Sequence, residues 1–208
     1  FNDIDLKKIN DNKKLKITDV AKYSITKPIH TSWIKSLLIN FFKNKNISTK
    51  SLNIVDCTAC VGGDTISLSK YFKNVLSIEK NEIHFNLLKN NIEILDINNV
   101  KLINDDFISY INFNKIQESY DLLFIDPPWG GPNYKNHEYI DLSITNNKNE
   151  KINLKNIINS YYDKFNYIIL KSPKNLNLNK HDYLYEKIHT NIDKDNKILL
   201  IIFEKLVN

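Results

Sequence analysis

Asp126-Pro127-Pro128-Trp129-Gly130-Gly131-Pro132 is the stretch of this chain best suited to chemistry. It follows an apolar run, Leu122-Leu123-Phe124-Ile125, that reads as a buried strand. Two prolines at a strand end make a stiff lip. They fix φ and carry no N–H, so their carbonyls are open to outside donors. The indole offers a flat face. Such a lip suits an enzyme that grips a planar base by its exocyclic amine. The plainer alternative is a rigid turn around a buried Trp.

A second group of residues lies upstream. Ile54-Val55-Asp56 ends in the small-residue loop Cys57-Thr58-Ala59-Cys60-Val61-Gly62-Gly63, with Asp64 or Thr65 able to cap a following helix. The spacing is neither G-x-G-x-x-G nor a P-loop. An acid at the head of the loop suits an amine-bearing ligand better than a pyrophosphate. Glu79, some 20 residues on, stands where a carboxylate accepts ribose hydroxyls. Asp106 closes a third strand, where it could take an adenine amino group, with Phe107 packing on the ring. Adenosine with an amino-acid tail fits this set: ribose on Glu79, adenine by Asp106, amino group near Asp56. The cofactor expected is S-adenosylmethionine, giving S-adenosylhomocysteine, with no metal.

The elements that would position these residues alternate. Strands are expected at 52–56, 75–79, 100–103, 122–126 and 167–170, then near Ile188 and at 198–203. Helices are expected at 28–42, 64–71, 83–95 and 154–165, with short ones after Phe107 and near His181. Ile29, Trp33, Leu37, Leu38 and Phe41 mark the apolar face of the first helix. A structureless loop is expected from Gly130 to Glu150. The fold class is α/β: a mostly parallel seven-stranded sheet flanked by helices, Rossmann-like. Residues 1–48 are read as a small N-terminal helical extension contributing to the cofactor and substrate pocket, and 49–208 as the catalytic domain.

These motifs together resemble the class I S-adenosylmethionine-dependent methyltransferases, and D-P-P-W resembles the [DNS]-P-P-[YFW] of amine methylators. Pro127-Pro128-Trp129-Gly130-Gly131-Pro132-Asn133-Tyr134 is similar to the P-P-W-G-G-P-x-Y of trimethylguanosine synthases, RNA cap guanine-N2 methyltransferases. Val55-Asp56 with Val61 to Thr65 resembles their V-D-x-x-x-G-V-G-G-N-T, Tyr23-Ser24-Ile25-Thr26 their F-S-V-T, and Pro173-Lys174-Asn175 their P-R-N. Cys60 replaces a glycine of that pattern, Asp126 a serine of many members, and Lys174 an arginine. The resemblance implies methyl transfer to N2 of an N7-methylguanosine cap. Asp126, Pro127 and Trp129 would be catalytic. Ser24, Thr26, Asp56, Gly62, Asp64, Thr65, Glu79, Asp106, Phe107 and Asp126 would hold the cofactor. Trp129, Tyr134, Lys174, Asn175 and Tyr23 would hold the cap, with Lys171 and more weakly Lys135 for its phosphates. An adenine-N6 methyltransferase and a non-catalytic cap- or cofactor-binding subunit are the alternatives. The partner expected is m7G-capped RNA or a cap analogue.

Bulk properties narrow the field. The chain has 208 residues and a formal charge of +5, with every basic residue outside histidine a lysine. That balance is compatible with RNA and decides little. Phosphate contacts must then use lysine and neutral donors, without the guanidinium fork. No run is long and apolar enough for a membrane span. Two cysteines, Cys57 and Cys60, form a C-x-x-C that lacks partners for zinc; a redox pair is the weakest reading, and two reduced thiols in an intracellular, possibly viral, monomer are expected. With no Met and Phe1 first, the chain reads as a piece of a longer product.

Overall fold

A computed structural model describes residues 15–19, 21, 25–112 and 120–206. Tyr23 and Ser24 lie outside the described residues, as does most of the expected N-terminal extension before Pro28. Among the described residues nine strands and five helices follow one another: α1 (Pro28–Lys43), β1 (Asn53–Asp56), α2 (Gly63–Ser69), β2 (Asn74–Ile78), α3 (Glu82–Ile94), β3 (Val100–Ile103), α4 (Phe107–Asn112), β4 (Leu122–Ile125), β5 (Ser143–Thr145), β6 (Lys151–Asn153), α5 (Leu154–Ser160), β7 (Tyr167–Pro173), β8 (Lys187–Ile192) and β9 (Ile198–Glu204). Seven strands make a mixed sheet in the order β3-β2-β1-β4-β7-β9-β8, and β5 pairs with β6. This is the expected Rossmann-like α/β architecture, a mostly parallel seven-stranded sheet. No helix among the described residues is long and apolar enough to cross a membrane.

The chain divides into two compact units at Phe107/Ile108. In the first, β1, β2 and β3 run parallel, with Ile54 facing Val75 and Val75 facing Val100. Helix α1 starts at Pro28, whose ring presets φ where an N–H has no partner to lose. Its buried face is His30, Ile34, Leu38 and Phe42. The expected face is thus shifted: Ile29 is 65% exposed and Trp33 only half-buried. Polar His30 joins the buried stripe, and that is why counting apolar residues misses it. Helix α3 is capped by Asn81, whose side chain accepts from His84 N, and buries Leu88, Asn91 and Ile92.

In the second unit β4 and β7 are parallel, while β9 runs antiparallel to both β7 and β8. β4 and β9 are buried along their whole length, which accounts for their unbroken apolar sequences. Three expectations are corrected here. The 130–150 segment is not structureless: it holds a 3₁₀ turn at Pro132–Asn136 and the β5/β6 hairpin, turned around Asn146, whose side chain accepts from Lys148 N and Glu150 N. Helix α5 stops at Ser160, because Tyr161 leaves helical geometry and its carbonyl accepts from Lys164 and Phe165. Strand β7 continues three residues past Leu170, paired with β9 as far as Pro173–Ile198. Lys171 and Ser172 hid that extension, since a fully buried strand rarely carries an ammonium.

Candidate active site

In the first unit the carboxylate of Asp56 ends β1 and is 1% exposed. Its Oδ2 accepts from Thr65 Oγ1 at 2.6 Å and its Oδ1 from Thr58 N at 3.3 Å. Thr65 Oγ1 also meets Ser77 Oγ of β2 at 2.9 Å. The acid therefore fastens both ends of the loop to the sheet. This modifies the expected role: Asp56 and Thr65 face inward and shape the loop, and neither side chain is presented to solvent.

The loop's path needs two left-handed residues. Gly62, at φ 99°, precedes α2, and a Cβ there would come within 2.8 Å of Leu88 Cδ1. Cys60, at φ 48°, is the other; among the described residues, every remaining non-glycine at positive φ is Asn or Asp. Cys60 holds its place because its N–H donates to Glu79 Oε2 at 2.8 Å, while Glu79 Oε1 accepts from Asn81 N at 2.7 Å. Glu79 is half-buried, so two backbone amides fix a carboxylate with acceptor capacity to spare. The Cys60 thiol lies 3.9 Å from His84 Nδ1; both cysteines are free thiols.

Two further contacts brace this loop. Thr26 Oγ1 donates to Asp64 Oδ2 at 2.9 Å, and Ile25 packs so close that a Cβ on Gly63 would sit 2.7 Å from its Cγ1. Buried Asn91 of α3 donates to Val61 O and Lys16 O and accepts from Lys16 N. Asn91 and Ser77 escaped sequence reasoning. The sole signal was a polar residue on an otherwise apolar face, Leu88-Asn91-Ile92. Between β3 and α4, Asp106 is buried, as is Phe107, the first residue of α4, and Asp106 N donates to Asp105 Oδ1 at 2.8 Å.

In the second unit the lip leaves β4 with Asp126 ion-paired to Lys171 of β7. Register explains the pairing: Ile125 lies opposite Leu170 in a parallel ladder, so the next residue of each strand is a neighbour. Lys171 is 2% exposed, which overturns its expected role on cap phosphates. Pro127 is buried, Pro128 exposed and Trp129 half-buried. Tyr134 meets the Trp129 indole edge-on, with centroids 5.3 Å apart and planes at 89°. Trp129 Nε1 is buried without a hydrogen-bond partner among the described residues. Gly130 and Gly131 turn the chain at φ 85° and 73°. Asn175 spends its amide on this loop, donating to Tyr134 O at 2.9 Å and His137 O at 2.8 Å, and so acts as a clamp where a cap contact was expected. Lys174 is exposed, and the Lys135 ammonium sits 5.8 Å from the Tyr134 ring centroid.

Comparison with known proteins bears on both the small-residue loop and the proline-aromatic lip. The profile of the RNA cap guanine-N2 methyltransferases matches residues 51–205. The chain belongs to that family. An uncharacterized protein of Acanthamoeba polyphaga mimivirus is 33% identical over 166 residues, 78% of this chain and 62% of that one. The trimethylguanosine synthase of Schizosaccharomyces pombe is 34% identical over 96 residues, 45% of this chain and 40% of the enzyme. The chain thus spans less than two thirds of the length of both. Ribosomal RNA small subunit methyltransferase D of Buchnera aphidicola is 31% identical over 152 residues, 69% of this chain and 74% of the enzyme. Among solved structures, an rRNA methylase from Streptococcus thermophilus superposes with a TM-score of 0.54 at 17% identity, over 88% of this chain and 99% of that one. A Streptococcus mutans protein in complex with SAH gives the same TM-score, 0.54, at 18% identity and the same coverage, 88% and 99%. At such identities these two neighbours speak for the fold alone.

The first unit's donor set fits the cofactor that this fold class uses. Glu79 is a fixed, half-buried carboxylate suited to a diol, and the loop beside it is made of small residues that allow close approach.

Proposed function

We propose that this cap guanine-N2 methyltransferase family member methylates the exocyclic N2 of an N7-methylguanosine RNA cap. The observation that carries the reading is Trp129: half-buried at the end of a rigid Pro-Pro lip, squared by Tyr134, and followed by a glycine pair and a clamped loop. An indole held in that way stacks on a purine. N7 methylation makes the purine cationic, adding about 0.5–2 kcal/mol of cation–π attraction. S-adenosylmethionine supplies, when bound, a methyl group on a positive sulfur.

The chain's own residues then have distinct tasks. Glu79 accepts the ribose hydroxyls, and Asp106 and Phe107 shape the adenine end. Asp56, Thr65, Gly62, Asp64 and Thr26 keep the loop in its path. The Pro127 carbonyl and Asp126 accept from the amine, fixing its orientation and favouring a more tetrahedral nitrogen whose lone pair is less delocalised into the ring. Exposed Lys174 attracts cap phosphate as a point charge, without a guanidinium's fork. Much of the rate comes from this alignment.

Similarity to a ribosomal RNA methyltransferase supports a second reading, in which the amine belongs to an internal RNA base. Labelled S-adenosylmethionine offered with m7GTP, GTP, adenine-containing RNA and a ribosomal RNA fragment separates the two. Label on m7GTP in preference to GTP is expected. Label confined to the ribosomal fragment refutes the cap reading and favours the second.

A further inference from the structure

Among the described residues Lys171 is the buried lysine, and it lies in a strand whose neighbouring residues are uncharged. Ile168, Ile169, Leu170 and Ser172 of the same strand are all 0% exposed. A lone ammonium there would be strongly disfavoured, and lysine's long stem usually carries its charge out to water. Here the side chain stays in, 3% exposed, against Asp126, itself 17% exposed. The β4/β7 register makes the two neighbours, so the pair is built into the sheet. Asp126 opens the lip that ends in Trp129 three residues later, so their Cα atoms are at most about 11 Å apart.

We propose that Lys171 is a positioning and specificity-determining residue, holding the Asp126 carboxylate as a neutralised, fixed acceptor at the foot of the lip. The inference rests on the methyl-transfer reading above and adds a determinant of the substrate's charge. A bare carboxylate beside the base would attract any cationic purine and pull it toward the acid. A bare ammonium would repel the same purine. Paired, the two leave recognition of the positive ring to the indole face, while the carboxylate remains available to accept an N–H. Two unit charges about 10 Å apart in a partly buried site interact strongly enough to change selectivity on the order of tenfold.

The test is the ratio of kcat/KM for m7GTP to that for GTP in Lys171→Met, Asp126→Asn and the double variant, at a mildly acidic pH at which the N7-methylated base keeps its N1 proton and its charge. Lys171→Met should raise the ratio about tenfold while kcat falls. Asp126→Asn should lower it about tenfold, and the double variant should return within about twofold of the wild type at reduced turnover. A role confined to stability cannot give shifts of opposite sign. Should one single variant fail to fold, the other measured against the double variant gives the same test of sign. Shifts in one direction, or none in active wild-type background, overturn the proposal and leave the methyl-transfer reading standing. A wild-type protein inert on every amine-bearing substrate overturns that reading and this proposal with it.

Discussion

Asn175→Ala isolates the clamp on the lip. The Asn175 amide donates to two carbonyls, Tyr134 O at 2.9 Å and His137 O at 2.8 Å. Each neutral hydrogen bond contributes about 0.5–1.5 kcal/mol net, so the pair holds the loop by about 1–3 kcal/mol. Removing the buried Oδ1, which has no hydrogen-bond partner among the described residues, returns part of that. A net loss of about 1–2 kcal/mol remains. If it falls on the loop that sets Tyr134 against Trp129, KM for m7GTP should rise about five- to thirtyfold, with cofactor affinity unchanged. Steady-state kinetics on m7GTP and calorimetric titration with S-adenosylhomocysteine read the two separately. Unchanged KM would refute the clamp, and equal loss of cofactor affinity would show that the change reaches the other unit. Asn175→Asp, which sets carboxylate oxygens against two carbonyls, should be worse than alanine.

Thr65→Val removes the hydroxyl shared by Asp56 and Ser77 and should destabilise the protein by about 1.5–3 kcal/mol in urea unfolding, with Thr65→Ser restoring most of it. Cys60→Gly relieves a left-handed cysteine at φ 48°. That strain is about 1–2 kcal/mol, glycine's extra chain entropy offsets about half, and a gain of several tenths of a kcal/mol is expected. Burial, then Asp182 and Asp141, push the Tyr183 phenol up to about 12. Its contribution to stability is therefore complete below about pH 10 and lost as pH rises toward 12. Denaturation at pH 9 and 11.5 should show a smaller loss in Tyr183→Phe than in the wild type.

The sheet was legible because its strands are short apolar runs between polar breaks, and β4 and β9 are buried on both faces. Helix limits were less so. At α5 the apolar pattern runs on through Tyr161 and Phe165, which are buried in turns that follow the helix. The 130–150 segment is rich in Asn and Lys, and its hairpin depends on one asparagine side chain holding the turn, a device composition alone does not reveal. Among candidate site residues, Glu79 and Trp129 lie where the sequence reading put them, half-buried just beyond β2 and β4. The inward turn of Asp56 and Thr65 was not legible, since a strand-end acid that builds a loop and one that meets a ligand have the same pattern.

The Asp126–Lys171 pair shows where linear reading stops. The two residues are 45 apart in sequence, and each invites a separate assignment: an acid in a motif, and a lysine near a phosphate-binding loop. Register joins them, because β4 and β7 align Ile125 with Leu170 and carry the next residue of each into contact. Once buried together, the two charges constrain one another. Losing either removes the partner that offsets the other's burial, so the effects of substituting the two are coupled. The same logic extends to the lip itself. A serine in place of Asp126 would need no ammonium beneath it, and Lys171 would then be the residue out of place. Replacing Asp126 by Ser in this chain should therefore lower stability alone and regain part of it with Lys171→Met, and a lone Asp126→Ser variant as stable as the wild type would show that the sheet does not couple them.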